Sequence, residues 1–266
     1  MSESTPIRYR IVPKDPAGHV FEVSCTVASP DPYGQQFSLP AWIPGSYMIR
    51  DFAKNIVRLW ASAGDQVLQI EKLDKQTWRC EPCQGPLTLT YDVYAWDLSV
   101  RSAHLDTTHG FFNGTSVFLC ADGLQDAPCE LEILPPEGEG YDQWRVATAM
   151  GEAGAERYGF GSYRAADYDE LVDHPVEMGS FTLASFEACG VSHDIVLTGR
   201  HHADTQRLCR DLQRICEHHI GFFGEPAPMD RYVFLTMVLG EGYGGLEHRA
   251  SCALMCSRDS LPRAGV

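Results

Sequence analysis

The 266-residue sequence is short of positive charge, of long apolar runs and of export signals. Its 21 lysines and arginines are outnumbered by 36 aspartates and glutamates, which gives a formal net charge of −15. Because such a chain repels phosphate groups, we expect no binding to nucleic acid or to anionic membranes. No apolar run reaches the ~20 residues that span a bilayer, and residues 1–6 have neither a basic nor an apolar signal region. We therefore predict a cytoplasmic protein.

The sequence also lacks the second Cys-x-x-Cys pair that a zinc knuckle needs, although it contains ten cysteines. Cys80 and Cys83 have the spacing of one half of such a site. The favoured interpretation is a turn with two incidental thiols, and a structural zinc site that adds histidines is the alternative. In a cytoplasmic chain that is 44% hydrophobic, we expect the thiols to be reduced.

Several catalytic motifs are absent as well: H-E-x-x-H, the P-loop, G-x-S-x-G and the dinucleotide fingerprint. Two histidine pairs, His201-His202 and His218-His219, lie near the ends of a predicted helix. Adjacent helical side chains point about 100° apart, so one pair cannot converge on a metal as histidines at i and i+4 can. We predict no catalytic residue and no metal ligand in this chain.

What the sequence does contain is a series of short segments in which apolar and polar residues alternate. This is the pattern of half-buried strands, and turn-forming residues separate the segments. The pattern predicts a mainly β protein that begins with an antiparallel β-sandwich or saddle-like domain. The segments in this first part are 7–12, 20–27, 36–39, 87–95, 117–120 and 129–134.

The pattern changes near residue 180, where we place a boundary between a β-domain, residues 1–180, and a second domain, residues 181–266. Strands are predicted at 181–187, 194–198 and 231–239. Apolar residues at helical spacing predict a long helix over 203–222, with Asp204 as its N-cap and Gly224 near its end. The second domain is therefore predicted to begin as an α/β unit.

The sharpest local feature is the glycine-rich stretch 240–245, after which we predict that a strand resumes over 246–256. Gly244 and Gly245 permit a close backbone approach or a positive φ, and Glu247 follows them. A carboxylate beside a glycine-rich sheet edge suits an ammonium group, and an exposed edge can pair with an extended peptide. A plain hairpin is the alternative.

Two further segments are unusual. Residues 40–52 bracket Trp42 with prolines and set a tight turn at Pro44-Gly45, which favours a rigid structural corner. Arg101 and Asn113 are polar residues of a second segment, 99–115. They either face a cleft as polar contacts or tie down a loop, and the sequence leaves both interpretations open.

Together these segments resemble the N-terminal part of the glycyl aminopeptidase family. Its members are bacterial zinc metallopeptidases related to aminopeptidase N, and they usually carry a C-terminal PDZ domain. The matching segments occur in family order over most of the chain. They are 42–47 with 50–52, 99–101 with 111–113, 173–179 and 243–251.

The resemblance implies that residues 181–266 begin a thermolysin-like catalytic domain. In aminopeptidase N the corresponding glutamate holds the free α-amine of the substrate, which assigns that role to Glu247 and a backbone contact to Gly244 and Gly245. Tyr243, Arg101 and Asn113 complete the candidate substrate-binding residues. His248 stands where aminopeptidase N has asparagine, so the asparagine's role does not transfer to it.

The family's zinc motif is missing, so we expect a fragment that stops at Val266 before the zinc helix. The complete enzyme would contain Zn²⁺ and remove N-terminal Gly or Ala from peptides with free N-termini. The fragment alone would bind no zinc, be inactive, pair with the missing C-terminal part of its polypeptide, and self-associate through strand 232–239 and the helix stripe. The alternative is a non-catalytic β-sandwich module that binds a peptide or glycan.

Overall fold

The computed structural model describes residues 5–261, so the predicted stop at Val266 lies outside the described residues. In chain order the strands are β1 (Ile7–Asp15), β2 (Val20–Val27), β3 (Gln36–Ser38), β4 (Ile56–Ala63), β5 (Gln66–Leu68), β6 (Ile70–Lys72), β7 (Thr77–Cys80), β8 (Leu87–Tyr94), β9 (Ala103–Leu105), β10 (His109–Phe112) and β11 (Cys120–Ala121). They continue with β12 (Cys129–Ile133), β13 (Arg145–Ala147), β14 (Gly151–Glu152), β15 (Gly161–Ala165), β16 (Val176–Gly179), β17 (Phe181–Ala188), β18 (Val191–Thr198), β19 (Arg231–Leu239), β20 (Tyr243–Glu247) and β21 (Ser251–Ser257). The helices are α1 (Tyr168–Asp173) and α2 (Thr205–Phe223), with short 3₁₀ helices at Phe52–Asn55, Gly114–Ser116 and Arg258–Ser260. The chain is mainly β, as the alternating segments predict.

The largest sheet has eight strands in the order β14-β15-β12-β1-β2-β8-β4-β5. Alternation works as expected here, because Phe21, Val23 and Cys25 of β2 are buried while their neighbours are less so. The sheet is not purely antiparallel: β12 pairs with β1 in parallel, with Ile7 opposite Cys129. The long chain between these strands permits the parallel return, which a short turn does not.

Two four-stranded sheets, β13-β16-β10-β9 and β11-β3-β7-β6, complete the first part of the chain. Aromatic rings fill the space between the sheets. Phe112 lies edge-on to Phe21 and to Phe118, at centroid distances of 5.8 Å and 5.6 Å. Such edge-to-face pairs are favourable contacts between ring quadrupoles.

The predicted strand 117–120 is wrong except at its last residue. The carbonyl oxygens of residues 117–119 accept hydrogen bonds from three buried tyrosine hydroxyls. These bonds take the place of hydrogen bonds to a neighbouring strand. These bonds join Tyr91 to Val117 O (2.7 Å), Tyr168 to Phe118 O (2.8 Å) and Tyr9 to Leu119 O (2.9 Å). Burial raises the pKa of all three tyrosines, so they remain donors at neutral pH.

A five-stranded sheet follows, in the order β17-β18-β19-β21-β20. Strand β19 is parallel to both its neighbours, and α2 connects it to β18. Apolar residues cover both faces of the sheet, which explains the continuous apolar run at 231–239. Val233, Leu235 and Met237 join the main core, while Val238 packs with Leu208 and other residues of α2 on the opposite face.

The predicted helix 203–222 is confirmed as α2. The Asp204 side chain accepts a hydrogen bond from Arg207 N at 3.0 Å, and the helix ends at Gly224. Its outer surface exposes Phe222 and Phe223. The expectation that strand 232–239 lacks cover is wrong, because β19 is an inner strand of its sheet and Val233, Leu235 and Met237 are buried. Self-association through this strand and the helix stripe stays a prediction. None of the helices within residues 5–261 combines the length and hydrophobicity that membrane crossing requires.

A buried ionic network links the residues before and after position 180. The Asp194 carboxylate, 2% exposed, accepts hydrogen bonds from Arg157 Nη2 at 2.5 Å and Ser185 Oγ at 2.6 Å. Arg231 lies 3.5 Å from the same carboxylate and 3.0 Å from Glu152. The two predicted domains therefore share charged contacts as well as a hydrophobic core, and the boundary at 180 stays a prediction.

Candidate functional site

The glycine-rich stretch forms β20, the edge strand of the five-stranded sheet, and pairs only with β21 within that sheet. Side chains alternate along a strand, so Tyr243, Gly245 and Glu247 share one face. Tyr243 and Glu247 are exposed, whereas Leu246 on the other face is buried. On the outward face, Gly245 therefore leaves a position without a side chain between the Tyr243 ring and the Glu247 carboxylate.

The predicted strand 246–256 is divided in two. The turn at 248–250 separates β20 from β21, and β20 begins earlier than expected, at Tyr243. The glycines do not break the strand, because both Gly244 and Gly245 hold extended positions opposite Met255 and Leu254.

The proline-flanked corner, residues 40–52, packs directly against β20. A Cβ on Gly45 would lie 2.7 Å from Leu246 Cδ1 and 3.7 Å from Glu247 Oε2, and Gly45 has a φ of +83°. The positive φ favours glycine, and a side chain here would also displace the Leu246 methyl group. The corner thus serves a structural role, as predicted, and it also brings Trp42 to the Glu247 site.

A cavity of about 290 Å³ lies between the corner, α1 and the end of β20. Trp42 is half-exposed at its rim, and its indole Nε1 donates to Ser46 O at 2.7 Å, which fixes the ring. Residues that line the cavity include Trp42, Pro44, Asp169, Glu247, His248 and Arg249. An aromatic wall beside a carboxylate suits a small group that carries a positive charge.

Helix α1 supports the turn after Glu247. The Asp173 carboxylate lies 3.4 Å from His248 Nδ1 and accepts a hydrogen bond from Arg249 N at 3.0 Å. The His248 side chain is 3% exposed. Its position shows that His248 anchors the turn and that its ring is largely closed to solvent.

Asp173 makes the stability of this turn depend on pH. Burial raises the pKa of Asp173, but the bonds from His248 and Arg249 outweigh burial and hold the pKa below its ordinary value. An ionised group of this kind stabilises the fold above its unfolded pKa, about 3.9. The stabilisation is lost as the pH falls through the lower folded-state pKa.

We therefore expect Asp173→Asn to destabilise the protein at pH 7, and we expect the difference from the wild type to shrink at pH 3 and below. Urea unfolding at several pH values measures the difference. Asp65→Asn, in the exposed turn between β4 and β5, is the matched control and should change stability little at any pH. An Asp173→Asn effect of equal size at all pH values would contradict this assignment.

Arg101 and Asn113 both lie next to the site. Arg101 Nη2 donates to Gly245 O at 3.1 Å, and the fully buried Asn113 donates to Val100 O at 2.8 Å. The Val100 side chain in turn packs near Gly244, since a Cβ added to Gly244 would lie 3.5 Å from it. These contacts fit the loop-tying interpretation, and a contact of either residue with substrate stays a prediction.

Cys80, Cys83 and the two histidine pairs do not converge. Cys80 ends β7 and is buried, whereas His218 and His219 lie on α2 and His201 bonds Thr182 Oγ1 at 3.0 Å. Within residues 5–261, no cluster of three metal-binding side chains includes any of them. The described residues therefore give no support to the structural zinc site.

Sequence reasoning missed two groups that the fold brings together. The first is the cavity that Trp42 and Asp173 line together with Glu247, which no spacing could indicate. The second is a cluster of His104, Asp106 and His109, whose ligand atoms lie within 4.8 Å of one another. The spacing H-x-D-x-x-H around a turn was its available signal.

The first 180 residues match a known family. The matching family is described as the peptidase M61 N-terminal domain, and the match covers residues 8–180. Since this is more than half of the chain, the chain belongs to the peptidase M61 N-terminal domain family. No curated protein matches the sequence.

Solved structures extend the likeness over nearly the whole chain. An aminopeptidase N family protein from Idiomarina loihiensis is 46% identical, with a TM-score of 0.94, and the match covers 98% of this chain and 44% of that one. An M1 zinc metallopeptidase from Deinococcus radiodurans, 14% identical with a TM-score of 0.57 over 95% of this chain and 60% of that one, shares the fold. A mutant of an M1 enzyme from the same organism, bound to a Tyr-Ser-Ala substrate, is 12% identical with a TM-score of 0.59, at 97% and 61% coverage. The chain therefore spans less than half the length of the Idiomarina relative.

Proposed function

We propose that this chain is the N-terminal portion of a zinc aminopeptidase and that it supplies the strand that binds the substrate's N-terminus. The observation that carries the proposal is the exposed carboxylate of Glu247 at the end of edge strand β20, beside the Trp42 cavity. The relationship to metallopeptidases supports it. Peptides with free N-termini are the proposed substrates.

The edge strand provides the means to hold an extended peptide. Gly245 has no side chain on the outward face, so a peptide backbone can lie close to the strand. Glu247 would then pair with the α-ammonium group. A substrate with a blocked N-terminus has no ammonium group to pair with the Glu247 carboxylate. The loss of this ion pair is the physical basis for the preference for substrates with a free amine.

The proposal includes a preference for small N-terminal residues such as Gly or Ala, which comes from the family resemblance. The cavity of about 290 Å³, which Trp42 and Pro44 help to line, has room for such a residue but does not exclude a larger one.

The residues of this chain do not fit the catalytic zinc of such an enzyme. The sequence contains no H-E-x-x-H, and His248, the histidine beside Glu247, is buried against Asp173. We therefore derive no hydrolytic step from this chain. Zinc and the residues that activate water are proposed to belong to another part of a longer polypeptide, with which this chain pairs.

The test is a substitution in the longer protein that contains this chain. Removing one partner of a buried or partly buried ion pair costs about 2–4 kcal/mol, so Glu247→Gln should lower kcat/KM for Gly- and Ala-anilides by about 30- to 1,000-fold. Glu241→Gln, an exposed carboxylate just before β20, is the matched control and should leave kcat/KM unchanged.

Blocked substrates and the isolated chain complete the design. N-acetylated substrates should be poor for the wild type, and Glu247→Gln should reduce the preference for free amines. Residues 1–266 alone, given Zn²⁺, should show no turnover. A Glu247→Gln enzyme with unchanged selectivity, or chelator-sensitive turnover by residues 1–266, would contradict the proposal. Metal-free binding of peptides or glycans that ignores the free amine would favour the β-sandwich binding module instead.

A further inference from the structure

We propose that the β9–β10 hairpin carries a binding site for a divalent transition metal, zinc first, formed by His104, Asp106 and His109. This proposal departs from the expectation, drawn from the sequence, that the chain binds no zinc and supplies no metal ligand. The site rests on observations other than those that support the peptide-binding strand. All three side chains belong to one short segment, 104–109, which the proposed aminopeptidase role does not use.

The hairpin register places the three side chains on one face. Phe111 lies opposite His104, and Gly110 lies opposite Leu105. One step further, Asp106 N donates to His109 O at 3.0 Å, so these two residues face each other across the turn. Residues at i and i+2 share a face, as do directly opposed residues. His104, Asp106 and His109 therefore point to the same side.

The ligand atoms are already close to the separations that one ion requires. His104 Nε2 and Asp106 Oδ2 lie 3.2 Å apart. Two ligands of a tetrahedral zinc, each about 2.0–2.1 Å from the metal, lie about 3.3 Å apart. The whole group falls within 4.8 Å, so the most distant pair has to approach to bind one ion. Two histidines and one carboxylate are a common ligand set that leaves a position open for water or a ligand.

Neighbouring residues orient the ligands as metal sites require. His109 Nδ1 lies 3.0 Å from Oε1 of Glu177, which is almost fully buried. A carboxylate that accepts the Nδ1 proton leaves Nε2 free to bind a metal. Oδ1 of Asp106 accepts hydrogen bonds from Thr108 and from His109 N, so Oδ2 is the oxygen turned to the site.

The His104 side chain is almost completely buried. The residue is 3% exposed, and its Nδ1 has no hydrogen-bond partner among the described residues. The nitrogen that faces the proposed ion is Nε2, which lies towards Asp106, and the unpaired Nδ1 is turned away from it. Trp96 covers the ring, with its centroid 4.9 Å away in a stacked arrangement.

A cavity gives the metal a path to the cluster. It has a volume of about 680 Å³ and lies between the hairpin and the ends of β18 and β19. Trp96, His104, Asp106 and His109 line it together with Thr198 and Arg258. Because all three side chains line this space, the site is proposed to bind metal reversibly from solvent.

The first experiment is calorimetric titration of the 266-residue chain with Zn²⁺. We expect one zinc per chain, and Asp106→Asn should weaken the affinity at least tenfold. Asparagine keeps the Oδ1 acceptor that holds the turn and replaces only the metal-facing oxygen, so this variant should retain the wild-type circular dichroism spectrum. Glu177→Gln should weaken zinc binding about tenfold through His109.

The control removes the exposed histidine pair of α2. His218→Ala combined with His219→Ala should leave the zinc stoichiometry and affinity unchanged. Loss of binding in this variant would assign the zinc to the surface histidines and overturn the proposal. An absence of zinc binding to the wild type, or unchanged affinity in Asp106→Asn, would overturn it as well.

A second measurement locates the metal without disturbing a ligand. Cu²⁺, which binds such ligand sets tightly, should quench the fluorescence of Trp96 because the indole stacks on His104. Trp96→Phe should remove most of this quenching and keep the zinc stoichiometry. Quenching that persists in Trp96→Phe would place the metal elsewhere and contradict the proposal.

Discussion

Replacing Asp194 with alanine is expected to lower the free energy of unfolding by about 3–5 kcal/mol, the effect of removing one partner from a buried ion pair. This is a large share of the 5–15 kcal/mol that stabilises a typical domain. The Asp194 carboxylate is 2% exposed and serves Arg157, Arg231 and Ser185 at once. Without it, the largely buried Arg231 keeps Glu152 but loses its second counter-charge.

The lowered pKa of Asp194 supports this expectation. Burial raises the pKa of Asp194, but hydrogen bonds from Ser185 and Arg157 outweigh burial, and the pKa lies below its ordinary value. The group is therefore ionised at neutral pH, and its stabilising effect is fully present there. It is lost only in acid, as the pH falls through the folded-state pKa.

Urea unfolding at pH 7 measures the effect. Glu130→Ala is the matched control, because Glu130 pairs with Arg8 at 3.2 Å with both side chains more than half exposed. Exposed pairs contribute about 0–1 kcal/mol. Equal losses in Asp194→Ala and Glu130→Ala would show that the network across residue 180 does not hold the two parts of the chain together.

Replacing Gly114 with alanine is expected to destabilise the protein by about 1–3 kcal/mol or more, the cost of overpacking a filled interior. A Cβ on Gly114 would lie 2.6 Å from the Cα of Val172 and 3.1 Å from the carbonyl oxygen of Leu171. Both are backbone atoms of α1, so no side-chain rotation relieves the clash. The helix must move, and with it Asp173, which holds the turn after Glu247.

Gly221→Ala is the matched control for this substitution. Gly221 lies in α2, and a Cβ there would meet nothing within 4 Å outside the helix. Alanine is a better helix former than glycine, so this variant should gain up to about 1 kcal/mol. Thermal and urea unfolding of both variants provide the comparison. A Gly114→Ala protein as stable as the wild type would mean that α1 shifts freely.

The elements that could be predicted are those in which the order of apolar and polar residues along the chain directly reflects which residues are buried. Strand β2, with one buried and one less buried face, and strand β19, apolar throughout, have the predicted bounds. Helix α2 has a cap and a terminating glycine in its sequence. The segment 117–120 could not be predicted, because its backbone partners are tyrosine hydroxyls far away in the chain.

The candidate site was predictable in part. Glu247 and its two glycines stand next to each other in sequence, so their pattern is local. The contact between Gly45 and Leu246 and the bond from Asp173 to the turn depend on tertiary packing. Arg101 and Asn113 were recognised as unusual, but only the fold shows that they bond the backbone at Gly245 and Val100.

The parallel pairing of β1 with β12 has a consequence for biosynthesis. On the ribosome, β1 and β2 can form a hairpin early, but the other edge of β1 has no partner until the residues of β12 leave the exit tunnel. Pairing of strands so distant in sequence is slow, and an open strand edge invites pairing with other chains. We expect the nascent chain to need a chaperone until residue 133 has emerged, and a slower translation rate before that point to reduce the yield of folded protein.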